Sequence, residues 1–130
     1  MLNAIIIEDE KLAVERLKSI LIELEPDINF AVVITSVKEG ITYFSASPKQ
    51  DIIFCDIHLT DGLSFEIFNQ VSVDTPVIFT TAYDEFVLKA LDYFSIDYLL
   101  KPLSLQDASK ALQKYKMLQQ HFSQNALKLN

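Results

Sequence analysis

Chemistry in this chain can come from a small set of side chains: the acidic run Glu8-Asp9-Glu10, then Asp56, Thr81 and Lys101. Asp56 follows Ile52-Ile53-Phe54-Cys55 and precedes an Asp61-Gly62 turn signal, so its carboxylate is expected where a buried strand ends. Carboxylates forced together repel, and each is driven toward its neutral form unless a cation shares the site. A hard divalent ion answers that demand, and Mg²⁺, which takes a few carboxylate or carbonyl oxygens and keeps several waters, suits it better than Ca²⁺. A carboxylate can also attack phosphorus to give an aspartyl phosphate, with the ion neutralising charge on the incoming group. Thr81 would add a hydroxyl and Lys101 a fixed cation. Taken singly these residues have plainer readings, as a loop cap, a strand end and a solvated charge. The chemistry requires a fold that brings them to one place.

Such a fold is written in the alternation of apolar runs. Ala4–Ile7, Phe30–Ile34, Ile52–Cys55, Pro76–Thr81 and Ile96–Leu100 are short and rich in β-branched residues, as strands are, and Pro76 stands at a strand start, where its missing N–H is harmless. Between them Leu12, Ala13, Leu17, Ile20, Leu21 and Leu24 recur at helical spacing up to a stop at Pro26. Ser36-Val37-Lys38-Glu39 has the form of a capping box and opens a second helix that Ser47-Pro48 ends. Phe65 to Val71 predicts a short third helix, Asp84 caps a fourth through Phe86, Val87, Ala90 and Leu91, and Ser104 caps a fifth that runs to Phe122. The expectation is an α/β, flavodoxin-like (βα)5 three-layer sandwich, with a five-stranded parallel sheet in the order 2-1-3-4-5 and helices on both faces. In that order strands 1 and 3 flank the switch point. Glu8, Asp9 and Asp56 then meet at one sheet edge, with Thr81 and Lys101 ending the fourth and fifth strands beside them.

Composition narrows the class. Half of the 130 residues are hydrophobic, with nine Phe and five Tyr, which a disordered tail would not contain. A net charge of −7 opposes broad contact with phosphate backbones, so any contact with nucleic acid would need another module. The single cysteine, Cys55, excludes an internal disulfide and fits a reducing, cytoplasmic setting. The start Met1-Leu2-Asn3-Ala4 lacks the basic lead of a signal peptide, and no apolar run approaches the roughly 18 to 20 residues of a membrane span.

From Ile5 to about Leu118 these residues together resemble the receiver domain of bacterial two-component response regulators. The resemblance implies that Asp56 is the phosphoacceptor and that Glu8, Asp9, Asp56 and the backbone carbonyl of His58 hold Mg²⁺. It also implies that Thr81 is the switch hydroxyl, Tyr98 the switch aromatic and Lys101 the contact to the phosphoryl group, with a cis Lys101-Pro102 bond. The donor would be a sensor histidine kinase, and the face made by the fourth helix, fifth strand and fifth helix would form a homodimer. Glu8-Asp9-Glu10-Lys11-Leu12-Ala13, Phe79-Thr80-Thr81-Ala82-Tyr83-Asp84 and Ser95-Ile96-Asp97-Tyr98-Leu99-Leu100-Lys101-Pro102 look like receivers that precede LytTR-type DNA-binding domains. Residues 1–122 are therefore expected to be the receiver, with 123–130 a tail or the start of a linker to such an output domain. Glu8 stands where the family commonly has Asp, and the Thr60-Asp61-Gly62 loop is shorter than usual and lacks its Pro. His58 and Tyr83, two residues beyond Asp56 and Thr81, are expected to flank the path of attacking water.

Two other classes use related parts. A haloacid-dehalogenase-like phosphatase also has a strand-end Asp and Mg²⁺, but it resembles Asp-x-Asp, and here His58 occupies the second position. A flavin-binding module needs a phosphate loop after strand 1, where Glu8-Asp9-Glu10 would repel one.

Overall fold

Strands covered on both faces must be apolar at every position. Ala4–Ile7, Ile52–Cys55 and Val77–Phe79 meet that condition, and all of them are buried. The computed structural model describes residues 1–46, 49–83 and 95–129, with side chains as far as His121. Its strands are β1 (Asn3–Ile7), β2 (Asn29–Ile34), β3 (Ile52–Asp56), β4 (His58–Leu59), β5 (Gly62–Leu63), β6 (Val77–Thr81) and β7 (Ser95–Leu100). Its helices are α1 (Lys11–Leu24), α2 (Val37–Ser45), α3 (Phe65–Gln70) and α4 (Leu105–Leu129).

The main sheet has five strands in the order β2-β1-β3-β6-β7, every pair parallel. Because β4 and β5 form a separate two-stranded ribbon, this is the expected 2-1-3-4-5 arrangement. Side chains alternate across a strand, and the core divides accordingly. Ile6, Phe54 and Ile78 pack with Val14, Leu17 and Leu21 of α1 and with Ala108, Ala111, Leu112 and Tyr115 of α4. Ile5, Ile7, Ile53, Cys55 and Phe79 face the other way, against Val37 and Phe44 of α2 and Phe65 and Ile67 of α3. Helices thus cover both faces.

Local signals explain the helix starts. The Ser36 hydroxyl accepts from the Glu39 amide at 3.0 Å, as a capping box requires. The return arm reaches one residue further back than expected, since Glu39 Oε2 accepts from the Thr35 hydroxyl at 3.1 Å. Ser104 Oγ accepts from the Asp107 amide at 3.1 Å at the head of α4. That helix continues to Leu129 rather than ending near Phe122. The predicted fourth helix, and the Ser47-Pro48 stop, lie outside the described residues.

Gly40 allows α2 to approach α3 closely. A Cβ there would lie 2.4 Å from Ile67 Cδ1, and Ile67 is fully buried. Gly→Ala inside a helix ordinarily gains about 1 kcal/mol, whereas overpacking a core costs about 1–3 kcal/mol. Gly40→Ala is therefore expected to lower stability by about 1 kcal/mol in urea denaturation. A midpoint at or above the parent's would show that Ile67 has room to move.

Candidate functional site

Parallel strands bring all their C-terminal ends to one edge, and here the strand ladder extends just past each end. The Glu8 amide donates to the Ile34 carbonyl at 2.9 Å, the Ile57 amide to Thr80 at 3.0 Å and the Lys101 amide to Thr81 at 2.7 Å. The backbones of Glu8, Asp56 and Lys101 are therefore set by the sheet rather than by free loops. One carboxylate oxygen each from Glu8, Asp9 and Asp56 lie within 4.8 Å of one another. Glu8 and Asp56 are buried, while Asp9 is exposed.

Lys101 reaches into this cluster. Its Nζ lies 2.6 Å from Glu8 Oε1 and 3.4 Å from Asp56 Oδ2. Burial works against the lysine charge, but the bond to Glu8 and the nearby carboxylates outweigh it and raise the Lys101 pKa above its ordinary value. Burial and then the charge of Glu8 push the Asp56 carboxyl up to about 7, with Lys101 opposing them. The cluster thus holds more negative charge than one lysine balances. An all-oxygen set of close, partly buried carboxylates in that state fits a hard divalent cation such as Mg²⁺. Cys55, in contrast, is a core residue whose thiol is pushed up by burial, far from the thiolate form a softer ion would want.

Thr81 is buried, and its hydroxyl accepts from the Tyr83 amide at 3.0 Å. Thr80, the other threonine of the pair, stands in register with Asp56 and lines a cleft with Glu8, Arg16 and Lys101. Tyr98 lies on the edge strand β7 and is 39% exposed. His58 begins β4, and its ring meets that of Tyr83 edge-on, with centroids 4.9 Å apart. The Lys101-Pro102 peptide is cis.

Sequence spacing does not reveal how the loop after Asp56 is held. Thr60-Asp61 is the tip of a hairpin in which His58 pairs with Leu63 and Leu59 with Gly62. Gly62 has φ +144°, a backbone conformation that L side chains rarely adopt. The Asp61 carboxylate accepts from the Val37 and Lys38 amides at 2.8 and 3.1 Å, capping α2 from outside its own segment. Those amides hold the Asp61 carboxyl below the usual carboxylate range. The Thr60 hydroxyl donates to Asp9 Oδ2 at 2.8 Å. None of these three bonds has a local sequence signal, because the partners are 24, 23 and 51 residues apart.

Residues 4–113 match the family of response regulator receiver domains. This chain belongs to that family. The receiver is 32% identical over 123 residues to the sensory transduction protein LytT of Bacillus cereus, covering 92% of this chain and 49% of the relative. It is 35% identical over 125 residues to the sensory transduction protein LytR of Streptococcus mutans, covering 91% of this chain and 50% of the relative. The chain thus spans about half the length of the curated relatives it matches. Among solved structures, the response regulatory domain of mrkE from Klebsiella pneumoniae superposes with a TM-score of 0.76 at 26% identity, over 92% of this chain and 99% of that one. The receiver is a regulatory domain of a response regulator, with the five-stranded receiver fold. Among the described residues no helix is long and apolar enough to cross a membrane.

Proposed function

We propose that this receiver is a phosphorylation-dependent switch whose phosphoacceptor is Asp56. The observation that carries the reading is the placement of Asp56: buried at the switch point, 3.4 Å from the Lys101 amine and clustered with Glu8 and Asp9. In this reading Glu8, Asp9, Asp56 and the His58 carbonyl hold Mg²⁺, which when bound neutralises charge on the transferring phosphoryl group. An Asp56 carboxylate oxygen attacks the phosphorus of a phosphohistidine on a sensor histidine kinase, the P–N bond breaks, and the histidine nitrogen leaves. Lys101, bonded to Glu8 in this structure, is the cation available to the new phosphoryl oxygens.

The hydroxyl of Thr81 now accepts from Tyr83 and would turn to donate to the phosphoryl group, vacating space for Tyr98 to move in from its exposed position. The change would be read on the face that includes β7 and α4, as homodimer formation. Relatives about twice as long, and an α4 that stays helical to Leu129, support residues 1–122 as receiver and 123–130 as the lead to an output module. We assign that module as LytTR-type, the contact with DNA to it, and the setting to the cytoplasm. Intact-mass measurement after incubation with acetyl phosphate and Mg²⁺ tests the reading. One phosphoryl group should add, and none when Mg²⁺ is chelated; an unchanged mass with Mg²⁺ present would overturn it.

His58 and Tyr83 form a ring pair two residues beyond Asp56 and Thr81, and in this reading the pair flanks the path of attacking water. Replacing both with Ala is expected to change the lifetime of the phosphorylated form by up to a few tens of fold, within the roughly 10²- to 10⁴-fold reach of positioned proton-transfer groups. The decay of phosphorylated mass with time measures it, and an unaltered lifetime would refute the role.

A further inference from the structure

We propose that Thr60 is a positioning residue for divalent-cation binding, acting on the ion through Asp9. This rests on the reading of Glu8, Asp9 and Asp56 as the Mg²⁺ ligands. Those three acids do not start equal. Glu8 and Asp56 are buried, and Lys101 contacts both. Asp9 lies beyond the end of β1 on the exposed side of the cluster, where a short side chain retains its rotamer freedom.

The Thr60 hydroxyl removes that freedom by donating to Asp9 Oδ2 at 2.8 Å. A carboxylate offers about four lone-pair positions, so one donated bond orients the group and still leaves acceptor capacity for an ion. A neutral donor also adds no competing positive charge, unlike Lys101 on Glu8. Outer partners of this kind set the orientation of the ligands that touch a metal.

Thr60 can do this only if its own position is fixed, and the hairpin supplies that. β4 and β5 pair on either side of the Thr60-Asp61 tip, and Gly62 takes the φ of +144° that its turn needs. Asp61 then pins the tip to the first amides of α2 through two bonds, to Val37 and Lys38. The loop that lies behind the phosphoacceptor is thereby braced between helix α2 and Asp9. One side chain, Thr60, transmits that bracing to the site.

Titration calorimetry with Mg²⁺ on the full chain tests the proposal. Thr60→Val keeps the shape and β-branching and deletes only the hydroxyl, so affinity should fall about 3- to 10-fold, less than the 10- to 100-fold typical of outer partners because Asp9 is exposed. Thr60→Ser should stay within about twofold of the parent, since it restores the donor. Asp9→Asn should weaken binding further, and adding Thr60→Val to it should change nothing, because the hydroxyl acts through Asp9. Equal or tighter binding by Thr60→Val, or a full additive loss in the double variant, would overturn the role of Thr60. A parent that shows no saturable Mg²⁺ binding, or Asp9→Asn and Asp56→Asn variants that bind as the parent does, would instead overturn the ligand assignment and Thr60 with it.

Discussion

Asp56→Asn should gain no mass from acetyl phosphate and Mg²⁺ under conditions in which the parent gains one phosphoryl group. The amide has nearly the carboxylate's shape but not its nucleophilic oxygen, so the effect on transfer is expected to be complete rather than graded. Equal addition to both proteins would move the acceptor to another residue. The same substitution should make the metal-free protein more stable at pH 8. Burial and the charge of Glu8 raise the Asp56 carboxyl to about 7, so at pH 8 the native state carries a charge that its surroundings disfavour. Removing it is expected to stabilise by about 1–2 kcal/mol after allowance for screening by solvent. The sign with pH follows from linkage. The native carboxyl binds its proton near pH 7, and the unfolded one near the model value of 3.8. The stabilisation this group gives the parent is therefore complete below the unfolded value and is lost as pH rises through about 7. The advantage of Asn should accordingly shrink between pH 8 and pH 5. Urea denaturation in EDTA at both pH values measures this, and an advantage of the same size at each would contradict the assignment of repulsion to Asp56.

Lys101→Met should have the opposite effect on the metal-free protein. Among the described residues Lys101 is the cation within 4 Å of both buried carboxylates, and its removal leaves Glu8 and Asp56 without it. Breaking a buried pair costs about 3–5 kcal/mol, and since the Lys101 side chain is 23% exposed the expected loss at pH 8 is nearer 2 kcal/mol. Two conditions should restore much of it: a lower pH, where Asp56 is protonated, and Mg²⁺, if the ion is held by the same acids. Thermal denaturation of parent and variant with EDTA, with Mg²⁺ and at pH 5 separates these contributions. A variant as stable as the parent at pH 8 in EDTA would mean that the lysine does not hold the acids together. On the proposed function, the variant should also lose the coupling between phosphorylation and dimer formation, since Lys101 is the cation that would secure the phosphoryl group.

Much of the receiver is written in local pattern. Ile52–Cys55 reads as a covered strand, because each of its side chains is apolar, the run is short and a half-exposed strand would alternate, and β3 bears this out. The spacing of Leu17, Leu21 and Leu24 makes α1 one-sided, and the capping signals at Ser36 and Ser104 place two helix starts. From alternating strands and helices the right-handed crossover rule leaves few topologies, and the order of the sheet then carries Glu8, Asp56, Thr81 and Lys101 to one edge. The length of α4 is not set by local pattern, because Ser123 to Asn130 contains no residue that halts a helix and the apolar periodicity weakens there.

What only the tertiary structure decided is how those edge residues pair. Lys101 bonds to Glu8 across 93 positions of sequence, Thr60 to Asp9 across 51, and Asp61 caps a helix 24 residues earlier. Periodicity and capping depend on neighbours within a turn or two, so the amino-acid sequence by itself determined the five strands of the main sheet, the starts of α2 and α4, the strand order and the edge where chemistry collects, but not the β4–β5 ribbon or the full length of α4. Hydrogen bonds reach about 3 Å, and which donor meets which carboxylate is settled only when the sheet has set the backbone to that tolerance. For this receiver that step turned Thr60-Asp61-Gly62 from a turn signal into a hairpin tip bonded to Asp9 and to the start of α2.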